Sequence, residues 1–175
     1  MITAFELAGH FAAHAIWCVS DSEILIPILA YSTADDKKKA ERLVGGDDVG
    51  ASIDFGKKKL EANQMDANDA VLIYDGRIPI DHKEGDKEGD KKGDKKVDAV
   101  IIEIRSYFSP QSEAVMAVPY TPITSGKFRV HQAKLIGWKN CEDFDTTTVL
   151  QSFNKGVDSH KKGSKVWDES LDDSI

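Results

Sequence analysis

Short apolar segments with the periodicity of β-strands follow one another through the second half of the chain. The clearest contains Val100, Ile102 and Ile104, which alternate with Ile101, Glu103 and Arg105. Because successive side chains of a strand point to opposite faces, this pattern predicts a strand with one face in the core. Similar segments lie at 71–74, 77–82, 113–120 and 128–138. The series predicts a five-stranded antiparallel meander.

The dipeptide Asp75-Gly76 separates the first two of these segments. Both residue types tolerate a positive φ, which a two-residue type I′ turn requires. An Asp-Gly pair between apolar runs is a strong local signal for a β-hairpin. We therefore expect a tight hairpin at this position.

Helices are predicted mainly in the first half of the chain. Residues 3–18 are apolar around most of a helical circumference, and 35–44 and 48–63 begin at aspartates that suit a helix N-cap. Residues 24–31 contain Pro27, which cannot donate to a β-ladder, so we assign them to an edge strand. Early helices and late strands are typical of an α+β fold. We predict an antiparallel sheet of five to six strands with the N-terminal helices packed on one face.

The length of 175 residues and the 41% content of hydrophobic residues suit one domain with a single core. We place this domain at residues 1–154, with a short helix at 146–154 as its last element. Residues 155–175 are polar and are expected to form a mobile C-terminal tail, in which Trp167 is a possible anchor.

Residues 83–98 form a tandem repeat of four tetrapeptides, KEGD, KEGD, KKGD and KKVD. The repeat has almost no apolar surface to bury, so it cannot offset the entropy lost on ordering its backbone. The lysines between the aspartates, and the missing bidentate glutamate, argue against a calcium loop. We predict a mobile hairpin loop between two strands.

The charge balance limits the classes of partner. The chain has 23 Lys and Arg against 30 Asp and Glu, which gives a net charge of −7 and a pI near 5.2. An acidic surface repels polyanions, so nucleic-acid binding is not expected. No uninterrupted apolar run is long enough to cross a membrane, and two cysteines are too few for a disulfide scaffold. We therefore expect a soluble, cytoplasmic protein without a membrane partner.

One group of polar residues is the best candidate for a binding site. If helices cover one face of the sheet, Glu103, Arg105 and Tyr107 lie on the other face, and Arg129 and His131 of the last strand are possible neighbours. Such a cluster is able to bind an anionic small molecule or to act in acid–base catalysis. The alternative is cross-strand ion pairing without chemistry, which is common on solvated sheet faces and is the interpretation we favour.

A weaker candidate is a metal site on the first helix. Glu6, His10 and His14 are spaced at i, i+4 and i+8 and so share one side of that helix. However, the catalytic zinc motif needs Glu directly after the first His, and this position holds Phe11. We favour ordinary polar residues on a helix surface and predict no metal and no cofactor.

Two functional hypotheses remain, and the oligomeric state is left open. The chain has no GxSxG, HExxH or CxxC motif. The first hypothesis is therefore a small acidic interaction module, similar in type to inhibitor or immunity proteins, that binds a basic protein partner. The second is a small-molecule-binding or enzymatic domain that uses the Glu, Arg, Tyr and His residues of the open sheet face.

Overall fold

The computed structural model describes residues 1–35, 37–44, 48–79, 96–108, 110–141 and 143–173. These residues form four α-helices: α1 Ile2–Ser20, α2 Val49–Glu61, α3 Thr146–Asp158 and α4 Lys161–Ser170. They also form seven strands: β1 Ile28–Ser32, β2 Lys38–Arg42, β3 Asp69–Pro79, β4 Lys96–Ser106, β5 Ser112–Thr121, β6 Arg129–Val130 and β7 Lys134–Lys139. A short 3₁₀ helix, Ile123–Ser125, precedes β6.

All seven strands belong to one antiparallel sheet. Its order is β2-β1-β3-β4-β5-β6, and β7 pairs with the other end of β5. The hydrogen-bonded neighbours from β3 to β5 are consecutive in the chain, as in the predicted meander. The predicted α+β class with an antiparallel sheet is therefore confirmed.

One face of the sheet packs against α1. Val100, Ile102 and Ile104 of β4 are completely buried on this face, as their alternation predicted, and they share a core with Phe5 and Ile16 of α1. By length and composition α1 would be able to cross a membrane, but 56% of its apolar 18-residue window is buried inside the fold. This is the environment of a core helix rather than of a helix in lipid.

Helices α3 and α4 cover the side of α1 that faces away from the sheet. The contact between α1 and α3 is very close, because a Cβ added at Gly156 would lie 2.0 Å from the carbonyl oxygen of Glu6. The segment after 154, predicted to be a mobile tail, instead completes α3 and forms α4. Its anchor Trp167 is 8% exposed and packs edge-on against Phe153. A polar sequence is folded here because its few apolar residues share one helix face.

The second N-terminal helix, α2, lies on the opposite face from α1. Leu60 of α2 is buried against Leu29 of β1 and against Ala70 and Leu72 of β3. These side chains alternate with those that face α1, so both faces of β1 and β3 are apolar and each needs a cover. The prediction that the N-terminal helices pack on one face of the sheet is therefore wrong for α2, because it overlooked the second apolar face.

The predicted hairpin at Asp75-Gly76 is wrong. Both residues lie inside the continuous strand β3, where they pair with Val100 and Ala99 of β4. The side chain of Asp75 accepts a hydrogen bond of 2.9 Å from the hydroxyl of Tyr120. Pairing along the whole of β4 outweighs the local turn preference of the dipeptide.

The helix predicted at 35–44 is also wrong, since this segment contains strand β2. Because β2 pairs with β1, the strand after Pro27 is an inner strand and not the predicted edge. Pro27 precedes β1 and needs no donor, and its carbonyl accepts a hydrogen bond from Leu43. The intrinsic helix preference of lysine, alanine and glutamate is overridden by this pairing.

Most of the charged repeat lies outside the described residues, and so does its predicted mobility. Strands β3 and β4 are paired as far as Pro79 and Lys96, so residues 80–95 connect adjacent antiparallel strands, as predicted for a hairpin. The last three residues of the repeat, 96–98, belong to β4 itself.

Candidate functional site

The predicted polar cluster is assembled in part on the face of the sheet opposite α1. Glu103 of β4 accepts a hydrogen bond of 2.8 Å from the hydroxyl of Tyr74 and lies 3.1 Å from the ammonium of Lys57 on α2. Burial, followed by the neighbouring Glu103, raises the pKa of Tyr74 to about 12. The phenol is therefore a hydrogen-bond donor at neutral pH and not a base.

Arg105 near the end of β4 and Tyr107 just after this strand also have internal partners. The guanidinium of Arg105 lies 3.5 Å from Glu113 and donates to the carbonyl of Ile104. The hydroxyl of Tyr107, whose pKa is raised by burial, donates to the carbonyl of Leu60 over 2.5 Å. These contacts fasten β4 to β5 and to α2, in agreement with a structural role for the cluster.

Arg129 and His131 lie far from this cluster. Arg105 pairs with position 113 of β5, whereas Arg129 pairs with position 121. These positions are 121 − 113 = 8 residues apart, or about 27 Å along a strand. Arg129 is ion-paired to Asp172, and His131, only 4% exposed, contacts the carbonyl of Asp172 at 2.9 Å through Nδ1. Both residues fix the C-terminal segment against β6 and do not join Glu103.

The proposed metal ligands on α1 each have another partner. Glu6 is ion-paired with Lys155 at 2.9 Å, and His10 contacts the hydroxyl of Ser159 at 2.7 Å. Within the described ranges, no group of three or more His, Cys, Asp or Glu side chains is arranged to hold a metal. The three residues therefore attach α1 to the region of α3 and α4.

His14 belongs to a chain of hydrogen bonds that begins at the N-terminus of α4. The amide of Gly163 donates to Nδ1 of His160 at 2.9 Å, so the proton of neutral His160 is on Nε2. That atom lies 3.2 Å from Nδ1 of His14, whose Nε2 faces the sulfur of Cys18 at 3.8 Å. Burial, followed by the neighbouring His160 and Arg42, lowers the pKa of His14, and burial lowers the pKa of His160. The imidazole of His160 thus caps α4, and His14 links this cap to α1.

A concave surface lies between β2 and α2. It encloses about 440 Å³, and its lining is formed by seven residues of the two elements and their flanks, which we call the β2–α2 groove: Glu41, Arg42, Leu43, Val44, Ala51, Ser52 and Phe55. Large apolar side chains are exposed at the groove and beside it: Val44 is 73% exposed, Phe55 55% and Val49 46%. Apolar groups gathered at a concavity are typical of interaction sites, whereas scattered ones are not.

Strand β2 forms one wall of this groove and one edge of the sheet. Within the described residues its inner side pairs with β1, and no strand pairs with its outer side. An unpaired edge presents amide and carbonyl groups that are able to pair with another extended chain. The β2–α2 groove therefore combines an apolar floor with an open hydrogen-bonding edge.

The edge strand β2 has an excess of basic residues, although the whole chain is acidic. Lys38, Lys39 and Arg42 are exposed, and none of them has an ion-pair partner among the residues that the structure describes. Glu41, the only acid of β2, is paired with Lys59 of α2. The edge is thus locally basic on a protein of net charge −7.

The chain was compared with protein-family models, curated proteins and solved structures. Nothing matches.

Sequence reasoning missed the β2–α2 groove because it assigned β2 to a helix. The spacing of Val49, Ile53, Gly56 and Leu60 predicts one stripe along α2, of which Gly56 and Leu60 are buried. Phe55 lies outside that stripe, in a helix surface otherwise rich in lysine. A large aromatic residue off the buried stripe was the one signal that would have indicated a partner surface.

Proposed function

We propose that this chain is a protein-interaction module and that the β2–α2 groove is its binding surface. The observation that carries the proposal is the grouping of Val44, Val49 and Phe55, exposed around a concavity beside an open strand edge. Burying these side chains under a partner would remove apolar surface from water, which is the main favourable term in protein association.

The rest of the described surface supports binding better than catalysis. Glu103 and Arg105, which sequence analysis singled out for acid–base chemistry, are engaged with Tyr74, Lys57 and Glu113. A role as an accessory or inhibitor-like protein needs only a rigid surface, and the two-sided core supplies one. We propose the cytoplasm as its compartment, because the two cysteines are buried and form no disulfide.

Selection from a random peptide library displayed on phage tests this proposal. We expect peptides that bind the unmodified chain and lose at least roughly tenfold in affinity to the Phe55→Asp variant, since a central aromatic anchor typically dominates an interface. Ile123→Asp is the matched control, because Ile123 is 48% exposed and lies outside the groove. If no peptide is enriched, or if both variants bind the selected peptides equally, the proposal is wrong.

A second candidate function, small-molecule binding on the open sheet face, is favoured by one observation. A cavity of about 210 Å³ lies beside Arg105 and Glu113 and is also lined by Val115 and Trp138. A thermal-shift screen of small carboxylates and phosphates tests it, with Arg105→Gln as the comparison. Stabilisation that disappears in this variant would support the second function, and an absence of any shift would argue against it.

A further inference from the structure

We infer that the partner of the β2–α2 groove is an extended segment of alternating acidic and apolar residues, which adds to the sheet as a new strand beside β2. This inference rests on the proposed function and specifies the chemistry of the partner. It follows from the direction of the backbone groups of β2 and from the side chains on each side of that strand.

The backbone of β2 offers a regular set of outward groups. Hydrogen bonds flanking the β1–β2 ladder join Thr33 to Lys37 and Leu43 to Pro27. In an antiparallel ladder the hydrogen-bonded pairs alternate, so Lys39 and Glu41 direct their amides and carbonyls toward β1.

Lys38 and Ala40, on either side of Lys39, then direct both backbone groups outward, and Arg42 directs its amide outward. This is the pattern that an added antiparallel or parallel strand requires. The carbonyl of Arg42 is already used, because it accepts a hydrogen bond from the amide of Val44. The open part of the edge therefore extends over residues 38–42.

The side chains of β2 specify which residues an added strand would carry. Lys38, Ala40 and Arg42 lie on the α1 side of the sheet, because their β1 partners Ile28 and Ala30 belong to the core under α1. An acidic side chain of the partner on this side would face two cations that have no ion pair among the described residues.

On the other side of the sheet the partner would lie beside Lys39 and Glu41 of β2 and would reach the apolar part of the groove. Leu43 is buried there, and Phe55 and Val44 are exposed beside it. Because side chains of a strand alternate between faces, a partner with acids on one side and apolar residues on the other matches both surfaces at once.

The same charges disfavour a second copy of this chain as the occupant. Antiparallel pairing of two β2 strands about Ala40 would place Lys38 of one copy opposite Arg42 of the other, because both residues are two positions from Ala40. Like charges directly opposite each other destabilise a strand pair. Lysines on an edge strand are a common means of preventing such self-association.

Fluorescence anisotropy with synthetic peptides tests the strand addition. The probe is a labelled peptide of alternating glutamate and valine, and the comparison peptide alternates lysine with valine. We expect the acidic peptide to bind and the basic peptide not to bind. N-methylation of the backbone amides on the side that faces β2 should abolish binding, because it removes the ladder donors without changing any side chain.

A backbone variant tests the same point on the protein. Ala40→Pro removes an outward amide that has no partner in the described sheet, and edge strands tolerate proline where the N–H faces away from the ladder. We expect this variant to keep its circular dichroism spectrum and to lose peptide binding. Should it fail to fold, the N-methylated peptide still gives the answer with the unmodified protein.

A charge variant tests the acidic character of the partner. The double change Lys38→Glu and Arg42→Glu should weaken binding of the acidic peptide by roughly tenfold or more, because it turns attraction into repulsion. The control, Lys96→Glu and Lys127→Glu, makes the same change in net charge at exposed residues of other parts of the chain and should leave binding unchanged.

The outcomes separate this inference from the proposed function. If the phage library yields Phe55-dependent peptides that are basic, the interaction module stands and the acidic partner is refuted. If these peptides bind the Ala40→Pro variant normally, the interaction module stands and strand addition is refuted. If no Phe55-dependent peptide exists, both fail. Binding to anionic phospholipid vesicles but not to the acidic peptide, or dimerisation through β2 in sedimentation, would likewise overturn the inference.

Discussion

Replacing Gly156 by alanine tests the closest approach between two helices of this fold. Gly156 of α3 and Gly9 of α1 face each other's backbones. An added Cβ would lie 2.0 Å from the carbonyl oxygen of Glu6 in the first case and 1.9 Å from that of Phe153 in the second. The obstacle in both cases is helix backbone, which cannot rotate away as a side chain would.

The expected cost follows from the displacement that the methyl group forces. The helices would have to separate by about 1 Å to reach an ordinary contact distance, and a gap of this size removes a quarter to a half of the dispersion energy across it. Overpacking typically costs about 1–3 kcal/mol and more when backbone has to move. Alanine recovers about 1 kcal/mol of helix propensity. Because the obstacle is backbone, the upper end of this range applies, and after subtraction of the recovered propensity we expect a net loss of about 2 kcal/mol in the free energy of unfolding.

Denaturation in urea, followed by circular dichroism, measures this loss. Gly137→Ala is the control, because a Cβ at Gly137 has no atom within 4 Å. We expect the control to stay within about 0.5 kcal/mol of the unmodified chain. The double variant Gly9→Ala, Gly156→Ala should cost less than the sum of the single changes, since one displacement relieves both contacts. A Gly156→Ala variant as stable as the control would refute the helix contact described here.

Three further predictions concern other parts of the structure. The pKa values of His10, His14 and His160 lie below their ordinary value of 6.5, so as the pH falls below about 6.5 the unfolded chain binds protons first and the free energy of unfolding decreases. Urea titrations at several pH values should show this decrease. The His160→Asn variant, which keeps a helix cap, should show a smaller decrease. A variant with the same pH profile as the unmodified chain would contradict the role given to His160. Ile102→Ala should cost about 2–5 kcal/mol in urea denaturation, because Ile102 is completely buried, and a negligible effect would invalidate the assigned face. Deleting residues 83–94 and closing the hairpin with a glycine turn should change stability by about 1 kcal/mol or less in thermal melts, since loop closure depends weakly on length; a larger loss would show that the repeat packs on the domain.

The strands with strict alternation were predictable because their pattern and their environment agree. Ile102 and Ile104 face the core and Glu103 and Arg105 face the other way, as period-two reasoning requires. The N-cap of α2 was predictable for a similar reason, since Asp48 accepts the amide of Ala51 at 2.7 Å. In these segments the local sequence is sufficient to predict the secondary structure and the buried face.

The incorrect predictions lie where pairing partners distant in the sequence decide the structure. Asp75-Gly76 has the composition of a turn, yet β4 continues beside it and holds it in a strand. Lys38–Arg42 has the composition of a helix, yet β1 provides a ladder for it. In both cases the energy comes from strand pairing, which single-segment propensities do not contain.

The candidate site was predictable in part only. Glu103, Arg105 and Tyr107 were correctly placed on the face opposite α1, but their partners Lys57 and Leu60 come from α2, which sequence analysis put on the other face. The β2–α2 groove could be predicted only with residues 38–42 assigned to a strand. The helix predicted at 35–44 therefore excluded it. The exposed Phe55 indicates a binding surface only when β2 is known to lie beside it.

Amide hydrogen exchange, measured residue by residue by NMR, tests the central claim most directly. In the unbound protein the outward amides of Lys38 and Ala40 should exchange quickly, while those of Lys39 and Glu41, bonded to β1, should exchange slowly. Adding the alternating glutamate–valine peptide should slow exchange at Lys38 and Ala40 and leave Lys39 and Glu41 unchanged. Saturation with the peptide without any protection at Lys38 and Ala40 would contradict strand addition at this edge.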